Sequence, residues 1–133
     1  MIVVDASAVL EVLLRTQAAA RVEARLFGAD SLHAPHLLDV EVAQVLRRYE
    51  ARRELSAARG AEALADLAAF PLSRYPHDVL LPRIWQLRAN LTAYDACYIA
   101  LAEALDAPLV TSDERLAAAP GHGAVIELVG VGR

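Results

Sequence analysis

The first fifteen residues, "MIVVDASAVLEVLLR" (1–15), contain the pattern on which the fold depends. An apolar run ends at Asp5, and a helical pattern follows at once. Continuous apolar runs of this length are typical of strands that are buried on both faces of a parallel sheet. The pattern therefore predicts a buried strand followed by a helix, with Ser7 as the expected N-cap of that helix.

Short strand patterns alternate with longer helical patterns along the rest of the chain, which is typical of βα units and a parallel sheet. Further strands are predicted in "SLHAP" (31–35), "PLSRY" (71–75), "APLVTSD" (107–113) and "AVIELVGV" (124–131). Helices are predicted over residues 18–27, 36–54, 56–70, 78–90, 91–105 and 114–119. No repeat, low-complexity segment or linker interrupts the pattern. We expect a single α/β domain over residues 1–133, with a central and mostly parallel sheet.

Composition supports one compact domain. The chain has 133 residues, of which 56% are hydrophobic, enough for a substantial core. Its apolar stretches fall short of the roughly 20 residues that a membrane span needs, and its N-terminus has no basic flank or cleavage site. We expect a soluble, cytoplasmic protein. The single cysteine, Cys97, cannot form an internal disulfide and is expected to be a small buried hydrophobe.

The charge pattern is uneven. The formal net charge is −4, which argues against nucleic-acid binding through an overall positive field. All thirteen basic residues are arginine, and four of them cluster in "LRRYEARRE" (46–54) as Arg47, Arg48, Arg52 and Arg53. This cluster is either a solvated helix face or a patch that contacts phosphate, since a guanidinium group matches phosphate oxygens.

Acidic residues fall where ligands gather in an open parallel sheet, beyond the carboxyl ends of the strands. Asp5 and Asp113 each stand where an apolar strand pattern gives way to a helix. Asp95 lies in the first turn of the apolar helix in "LTAYDACYIALAEAL" (91–105), and burying its carboxylate is costly without a partner. We expect these three carboxylates to lie close together.

The long helix over residues 36–54 offers a fourth carboxylate, for which Asp39 and Glu41 compete. At about 100° per residue, Glu41 and Arg48 share one flank of the apolar stripe, and Asp39 falls on the opposite flank. We therefore expect Glu41 in the site, with Arg48 beside it and able to hold a phosphate. Asp39 is expected to serve the first helical turn, where the helix dipole favours negative charge.

Each acid also has a purely structural interpretation. Asp5 and Asp113 could cap the helices that follow them, and Asp95 could form a capping box with Thr92. Glu41 taken alone could be a solvated helix residue. Capping does not, however, predict that acids from separate segments converge at one end of a sheet. Several carboxylates there would repel one another unless a cation lay among them.

An all-oxygen ligand set suits Mg²⁺ or Mn²⁺. A zinc site through His33 and His36 is the weaker hypothesis, because Pro35 prevents their helical pairing and no further Cys or His motif completes a tetrahedral set. Both histidines are expected to lie in loops.

The stretches "MIVVDASAVL", "APHLLDVEVAQVLRR", "LTAYDACYIALAEAL" and "APLVTSDERLA", in this order, resemble PIN-domain proteins, and specifically the VapC toxins of bacterial toxin–antitoxin systems. The resemblance covers nearly the whole chain and matches the four acids of the family to Asp5, Glu41, Asp95 and Asp113. Thr111 and Ser112 match the hydroxyl positions before the last acid. The resemblance implies a three-layer α/β/α fold and RNA cleavage that depends on Mg²⁺ or Mn²⁺. It also implies a homodimer and an inhibitory VapB-like antitoxin, through which alone DNA would be contacted.

On this interpretation Asp5 and Asp95 are the principal metal anchors, and Glu41 and Asp113 complete the site. Arg48 is expected to contact either the RNA backbone or the antitoxin. The hydroxyl group of Thr111 or Ser112 could orient a water or a carboxylate, but a hydrogen bond at the strand end is the favoured interpretation for either residue. The alternative is a non-catalytic PIN-like module that binds RNA or a protein partner. A phosphoacceptor receiver or aspartyl phosphatase is disfavoured, because both resemble families that use a lysine and this chain has none.

Overall fold

The computed structural model describes residues 1–130, and the sheet at its centre has five parallel strands. The strands are β1 (Ile2–Val4), β2 (Leu32–Pro35), β3 (Leu72–Tyr75), β4 (Leu109–Thr111) and β5 (Ile126–Leu128). Their order across the sheet is β3-β2-β1-β4-β5, and every neighbouring pair is parallel. The predicted α/β class is confirmed, and the sheet is wholly parallel within the described residues. The predicted end of the last strand, at residue 131, lies outside them.

Helices connect the strands. They are α1 (Ala6–Leu13), α2 (Ala19–Phe27), α3 (Leu37–Ala51), α4 (Ala57–Ala68), a 3₁₀ turn (Asp78–Leu80), α5 (Leu81–Gln86), α6 (Ala93–Leu105) and α7 (Glu114–Ala117). Helix α1 contacts α2, α3 and α4, whereas α6 contacts α5 and lies on β1, β2 and β4. The side chains of β1 are almost wholly buried, as expected for a strand covered on both faces. None of the described helices is long and apolar enough to cross a membrane.

The N-terminal cap of α1 differs from its prediction. Asp5, not Ser7, is the N-cap: the backbone of Asp5 is extended and its side chain accepts a hydrogen bond from the Ala8 N–H. Ser7 is the second residue of the helix, and its hydroxyl bonds back to Asp5. The sequence offered two good capping residues two positions apart, and the earlier one is used because β1 ends directly before it.

Helix α6 has the predicted start and the predicted apolar body. Thr92 is its N-cap and accepts a hydrogen bond from the Asp95 N–H at 3.2 Å. Residues 96–102 are all buried, including Cys97 and Tyr98. Burial raises the pKa of the Cys97 thiol to about 11, so this cysteine is an inert part of the core. The helix ends at Asp106, whose backbone is left-handed (φ 50°).

Candidate active site

The four predicted acids are delivered to one region by four different segments. Asp5 follows β1, Asp113 follows β4 by one residue, Asp95 lies in the first turn of α6, and Glu41 lies in α3. Their charges act on one another: Asp113 raises the pKa of Asp5, and Asp5 and Asp95 both raise the pKa of Glu41. The structure therefore brings together the carboxylates that the sequence predicted to converge.

Asp5 is the most enclosed of the four, with 5% of its surface exposed. One carboxylate oxygen accepts hydrogen bonds from the Ser7 hydroxyl at 2.7 Å and the Ala8 N–H at 3.1 Å, and the other accepts from the Thr111 hydroxyl at 2.5 Å. Burial nevertheless outweighs these bonds and holds the pKa of Asp5 above its ordinary value. The three hydrogen bonds therefore fix the orientation of the Asp5 carboxylate, while burial makes its negative charge energetically unfavourable.

The segment after β4 supplies the hydroxyl group that fixes Asp5. While the Thr111 hydroxyl donates to Asp5, its oxygen accepts the Asp113 N–H at 3.0 Å, which joins the two acids through one side chain. The Ser112 N–H donates to the Ser7 hydroxyl at 2.9 Å. Ser112 itself has a buried hydroxyl oxygen without a hydrogen-bond partner among the described residues. Thr111 therefore orients a carboxylate and also accepts a backbone N–H at the end of the strand, so both roles considered from the sequence are present.

Glu41 reaches the site from α3 and is held by Tyr98 of α6. The Tyr98 hydroxyl donates a short hydrogen bond to the Glu41 carboxylate. Burial raises the pKa of Glu41, the bond from Tyr98 lowers it, and the charges of Asp5 and Asp95 raise it again. The pKa of Tyr98 is raised by its own burial and by Glu41, so its hydroxyl stays protonated and acts as the donor.

Asp95 and Asp113 share one cationic partner, Arg115, which was not predicted from the sequence. Arg115, in α7, places Nη2 3.0 Å from Asp95 Oδ2 and 3.3 Å from Asp113 Oδ2. The contact with Asp95 is an ion pair but lacks hydrogen-bond geometry, and this buried oxygen has no hydrogen-bond donor within residues 1–130. Asp113 also caps α7 by accepting the backbone N–H groups of Arg115 and Leu116. Asp113 thus caps a helix and also lies near another acid, two roles that the sequence had presented as alternatives.

An open groove of about 600 Å³ lies along α1 and α3, and of the four acids Glu41 lines it. Glu41 and Ser7 lie at its acidic part, aliphatic side chains of both helices form its walls, and Arg48, Tyr49 and Tyr94 also line it. The prediction that Glu41 and Arg48 share one face of α3 is confirmed. Arg48 is exposed and forms no side-chain hydrogen bond or ion pair with any described residue.

Asp39 lies elsewhere, as predicted, but its role is not only local. Its carboxylate accepts two hydrogen bonds from Arg74 of β3, at 2.7 and 3.1 Å. The pair joins α3 to the edge of the sheet, a long-range contact that helix periodicity does not reveal.

The histidines are not arranged as a zinc site. His33 lies in β2, not in a loop, and both of its ring nitrogens are used: Nδ1 bonds the Tyr75 hydroxyl at 2.6 Å and Nε2 the Ser31 hydroxyl at 2.8 Å. His36 precedes α3, and its ring meets that of His77 edge-on. His77 accepts the Leu37 N–H at 2.9 Å and so satisfies the start of α3.

The acidic site offers ligand atoms of the type that a hard divalent cation prefers. They are all carboxylate oxygens, one of them is buried without a hydrogen-bond donor, and the pKa values of Asp5 and Glu41 are raised in part by neighbouring negative charge. Within residues 1–130, no three such side chains form a ready cage for an ion. Arg115 stands between two of the four acids instead.

Three side chains of the site were missed or misassigned from sequence: Ser7, Tyr98 and Arg115. Ser7 looked like a helix cap, and Tyr98 looked like one more apolar residue of α6. Arg115 lies two residues after Asp113 in "TSDERLA" (111–117), and that spacing is the one signal that could have placed it near an acid. Each acts through a contact between separate segments or across a tight turn, which periodicity alone does not specify.

A parallel α/β fold with acids beyond the ends of β1 and β4 defines an α/β domain with an acidic site, and comparison with known proteins specifies its family. The family model of the PIN domain matches residues 2–121. Ribonuclease VapC9 of Mycobacterium tuberculosis is 52% identical over 116 residues, which cover 87% of this chain and 88% of VapC9. Ribonuclease VapC1 of the same species is 48% identical over 128 residues, 96% of each chain.

A solved structure supports the same assignment at the level of the fold. The crystal structure of VapBC2 from Rickettsia felis, bound to a DNA fragment from its promoter, contains a chain that superposes with a TM-score of 0.68 at 13% identity. It covers 97% of this chain and 99% of that one. The chain belongs to the PIN-domain family and, within it, to the VapC ribonucleases.

Proposed function

We propose that this protein is the endoribonuclease toxin of a toxin–antitoxin pair and that it cleaves RNA phosphodiester bonds with Mg²⁺ or Mn²⁺. The observation that carries the proposal is the convergence of Asp5, Glu41, Asp95 and Asp113, held together although their charges oppose one another. Such an arrangement is costly for stability alone. Membership among proteins named VapC ribonucleases supports RNA as the substrate.

Asp5 and Asp95 would be the principal metal ligands, with Glu41 and Asp113 completing the set. A bound ion would polarise the scissile phosphate, activate a water and stabilise the leaving oxygen. The chain's own contribution is to orient the ligands. Ser7 and Thr111 fix both oxygens of Asp5, and Tyr98 holds Glu41 at the groove.

The groove gives RNA a route to Glu41, the one of the four acids that lines it. Arg48 lines it together with Glu41 and is free of intramolecular ion pairs in the described part of the chain. We expect Arg48 to contact a backbone phosphate, for which a guanidinium group is suited. Because the net charge of the protein is −4, binding would depend on this local contact and on the metal rather than on an overall field. Thr111 would act indirectly, through Asp5, and Ser112 through the backbone N–H that it donates to Ser7.

A VapB-like antitoxin is the proposed protein partner, because the chain is a VapC. It would inhibit the nuclease, and DNA would be contacted only through it. We also propose a homodimer. An exposed apolar surface supports it: Val79, Leu81 and Trp85 are 74%, 56% and 67% exposed.

The test is RNA cleavage by the purified, antitoxin-free protein in Mn²⁺, in Mg²⁺ and in EDTA. Asp95→Asn should reduce cleavage at least about 100-fold, since losing a metal ligand removes several kcal/mol of transition-state stabilisation. Asp106→Asn is the matched control at the other end of α6, where asparagine tolerates the left-handed backbone, and it should cleave normally. Metal-dependent cleavage by Asp95→Asn at the wild-type rate would overturn the proposal, and so would wild-type cleavage in EDTA. RNA binding without cleavage would favour the non-catalytic alternative.

A further inference from the structure

Arg115 occupies the part of the acidic site where a divalent ion would bind. Its Nη2 atom lies within 3.3 Å of one oxygen of Asp95 and one of Asp113. The two acids reach it from different elements, the first turn of α6 and the start of α7. A single guanidinium group thus bridges carboxylates that are brought together only by the tertiary fold.

The two acids are far less exposed than the arginine. The Asp95 and Asp113 side chains are 16% and 32% exposed, whereas Arg115 is 69% exposed. The Asp113 carboxylate is held by its cap of α7, and the backbone of Asp95 is fixed by the Thr92 cap of α6, so neither short side chain can move far. The arginine is a long side chain at the surface and can rotate into solvent at little cost. The mobile member of this cluster is therefore the cation.

The contact with Asp95 is electrostatic and incompletely satisfied. Asp95 Oδ2 is buried, and Arg115 approaches it without hydrogen-bond geometry. Within residues 1–130 no other hydrogen-bond donor serves this oxygen. A small divalent ion, which binds carboxylate oxygens directly, would satisfy it better than the guanidinium group does.

We infer that Arg115 is an internal counter-ion that a divalent metal must displace from Asp95 and Asp113 in order to bind. The inference rests on the proposed function, because it assumes that the four acids bind the metal. Without the ion, Arg115 offsets part of the repulsion among the acids and stabilises the fold. When the ion binds, its charge replaces that of Arg115, and the guanidinium group leaves Asp95.

Metal affinity measures this competition directly. We would titrate Mn²⁺ into the antitoxin-free protein by calorimetry and compare the wild type with Arg115→Gln. The variant should bind Mn²⁺ about two- to fivefold more tightly, the range that exposed ion pairs can supply. Arg115→Lys keeps the positive charge and should retain much of the competition. Arg47→Gln is the control for the loss of one positive charge, since Arg47 is exposed and forms no ion pair with any described residue.

Thermal unfolding supplies a second measurement. In EDTA, Arg115→Gln should melt at a lower temperature than Arg47→Gln, and saturating Mn²⁺ should remove the difference. Equal or weaker Mn²⁺ affinity in Arg115→Gln than in Arg47→Gln would overturn the inference while leaving the metal site intact. Absence of Mn²⁺ binding in every variant would overturn the proposed function and this inference with it.

Discussion

Asp95 is the residue at which the demands of folding and function conflict most clearly. It begins a helix whose body is almost entirely buried, and one of its own oxygens is buried without a hydrogen-bond donor in the described part of the chain. Its backbone N–H is nevertheless used by Thr92 to cap the same helix. Capping fixes the backbone and leaves the carboxylate free to act, so one residue serves both purposes.

Replacing Glu41 should show how much the charges of the acidic cluster reduce the stability of the fold. A carboxyl group whose pKa is raised by folding stabilises the fold only at low pH, and that stability is lost as the pH rises from the ordinary pKa through the raised one. Glu41→Gln keeps an acceptor for Tyr98 and removes the charge. In EDTA at pH 7 it should be more stable than the wild type by about 1 kcal/mol, the scale of a poorly compensated buried polar group.

Urea unfolding at pH 7 and near pH 4 measures this effect. The difference between Glu41→Gln and the wild type should shrink at the lower pH, which lies below the ordinary pKa of glutamate and below the raised pKa of Glu41 in the folded state. A stabilisation by Glu41→Gln that does not depend on pH would contradict the electrostatic explanation.

Removing the hydroxyl group of Tyr98 should destabilise the protein, whereas Glu41→Gln should stabilise it. The bond from Tyr98 lowers the pKa of Glu41, so Tyr98→Phe should raise it and move the acidic limb of the pH–rate profile to higher pH. The variant should also lose about 1–3 kcal/mol of stability, because a buried carboxylate loses its donor. Tyr75→Phe is the control: it removes a hydroxyl bonded to His33, away from the acids. It should lower stability without moving the profile, and a shift of equal size in both variants would refute the role of Tyr98.

At the scale of elements, the helix starts determine where the acids lie. Asp5, Asp113 and Thr92 each cap a helix that follows the site, and His77 satisfies the start of α3, which carries Glu41. Capping orients the carboxylates of Asp5 and Asp113 directly and fixes the backbone of the helices that carry Asp95 and Glu41, and such preorganisation is the condition for a precise metal site.

The cap of α6 can be tested against a matched cap elsewhere. Thr92→Ala and Ser56→Ala each remove a side chain that accepts one backbone N–H, at the starts of α6 and α4. Each should cost about 1 kcal/mol of stability in urea unfolding. Thr92→Ala should in addition weaken Mn²⁺ binding several-fold, since Asp95 lies in the turn that it holds. Unchanged Mn²⁺ affinity in Thr92→Ala would show that this cap does not position the acid.

The sequence predicted elements and acids well because both depend on local patterns. An apolar run followed by an acid and a helix, as at Asp5, specifies a strand end and hence a position at the sheet edge. The partners of the acids depend on contacts across long separations, such as Tyr98 with Glu41 and Thr111 with Asp5. Helical periodicity marks Tyr98 as buried but does not show where its hydroxyl points. Such contacts became visible only when the segments were assembled.

At the scale of the whole molecule, the clustered arginines and the exposed apolar surface lie on different elements. The four clustered arginines of α3 and its end are exposed, and only Arg48 among them lines the groove. The exposed apolar surface of Val79, Leu81 and Trp85 lies on the 3₁₀ turn and α5. RNA binding and self-association are thus proposed for different parts of the surface.

The dimer proposal predicts that Trp85→Glu weakens self-association. A tryptophan at the centre of an interface commonly contributes 2 kcal/mol or more, which corresponds to an increase in the dimer dissociation constant of at least about 30-fold. Val125→Glu is the control, because Val125 is an equally exposed apolar residue that belongs neither to the 3₁₀ turn nor to α5. Sedimentation equilibrium would measure both constants. Equal dissociation constants for Trp85→Glu and the wild type would exclude this surface as the interface.

The measurement that tests the central claim most directly is an anomalous-scattering map from crystals of the antitoxin-free protein soaked in Mn²⁺. We predict a manganese peak in contact with the carboxylates of Asp5 and Asp95, with the Arg115 guanidinium group withdrawn from Asp95. A map with no manganese among the four acids, from protein that cleaves RNA in the same Mn²⁺ solution, would contradict the account.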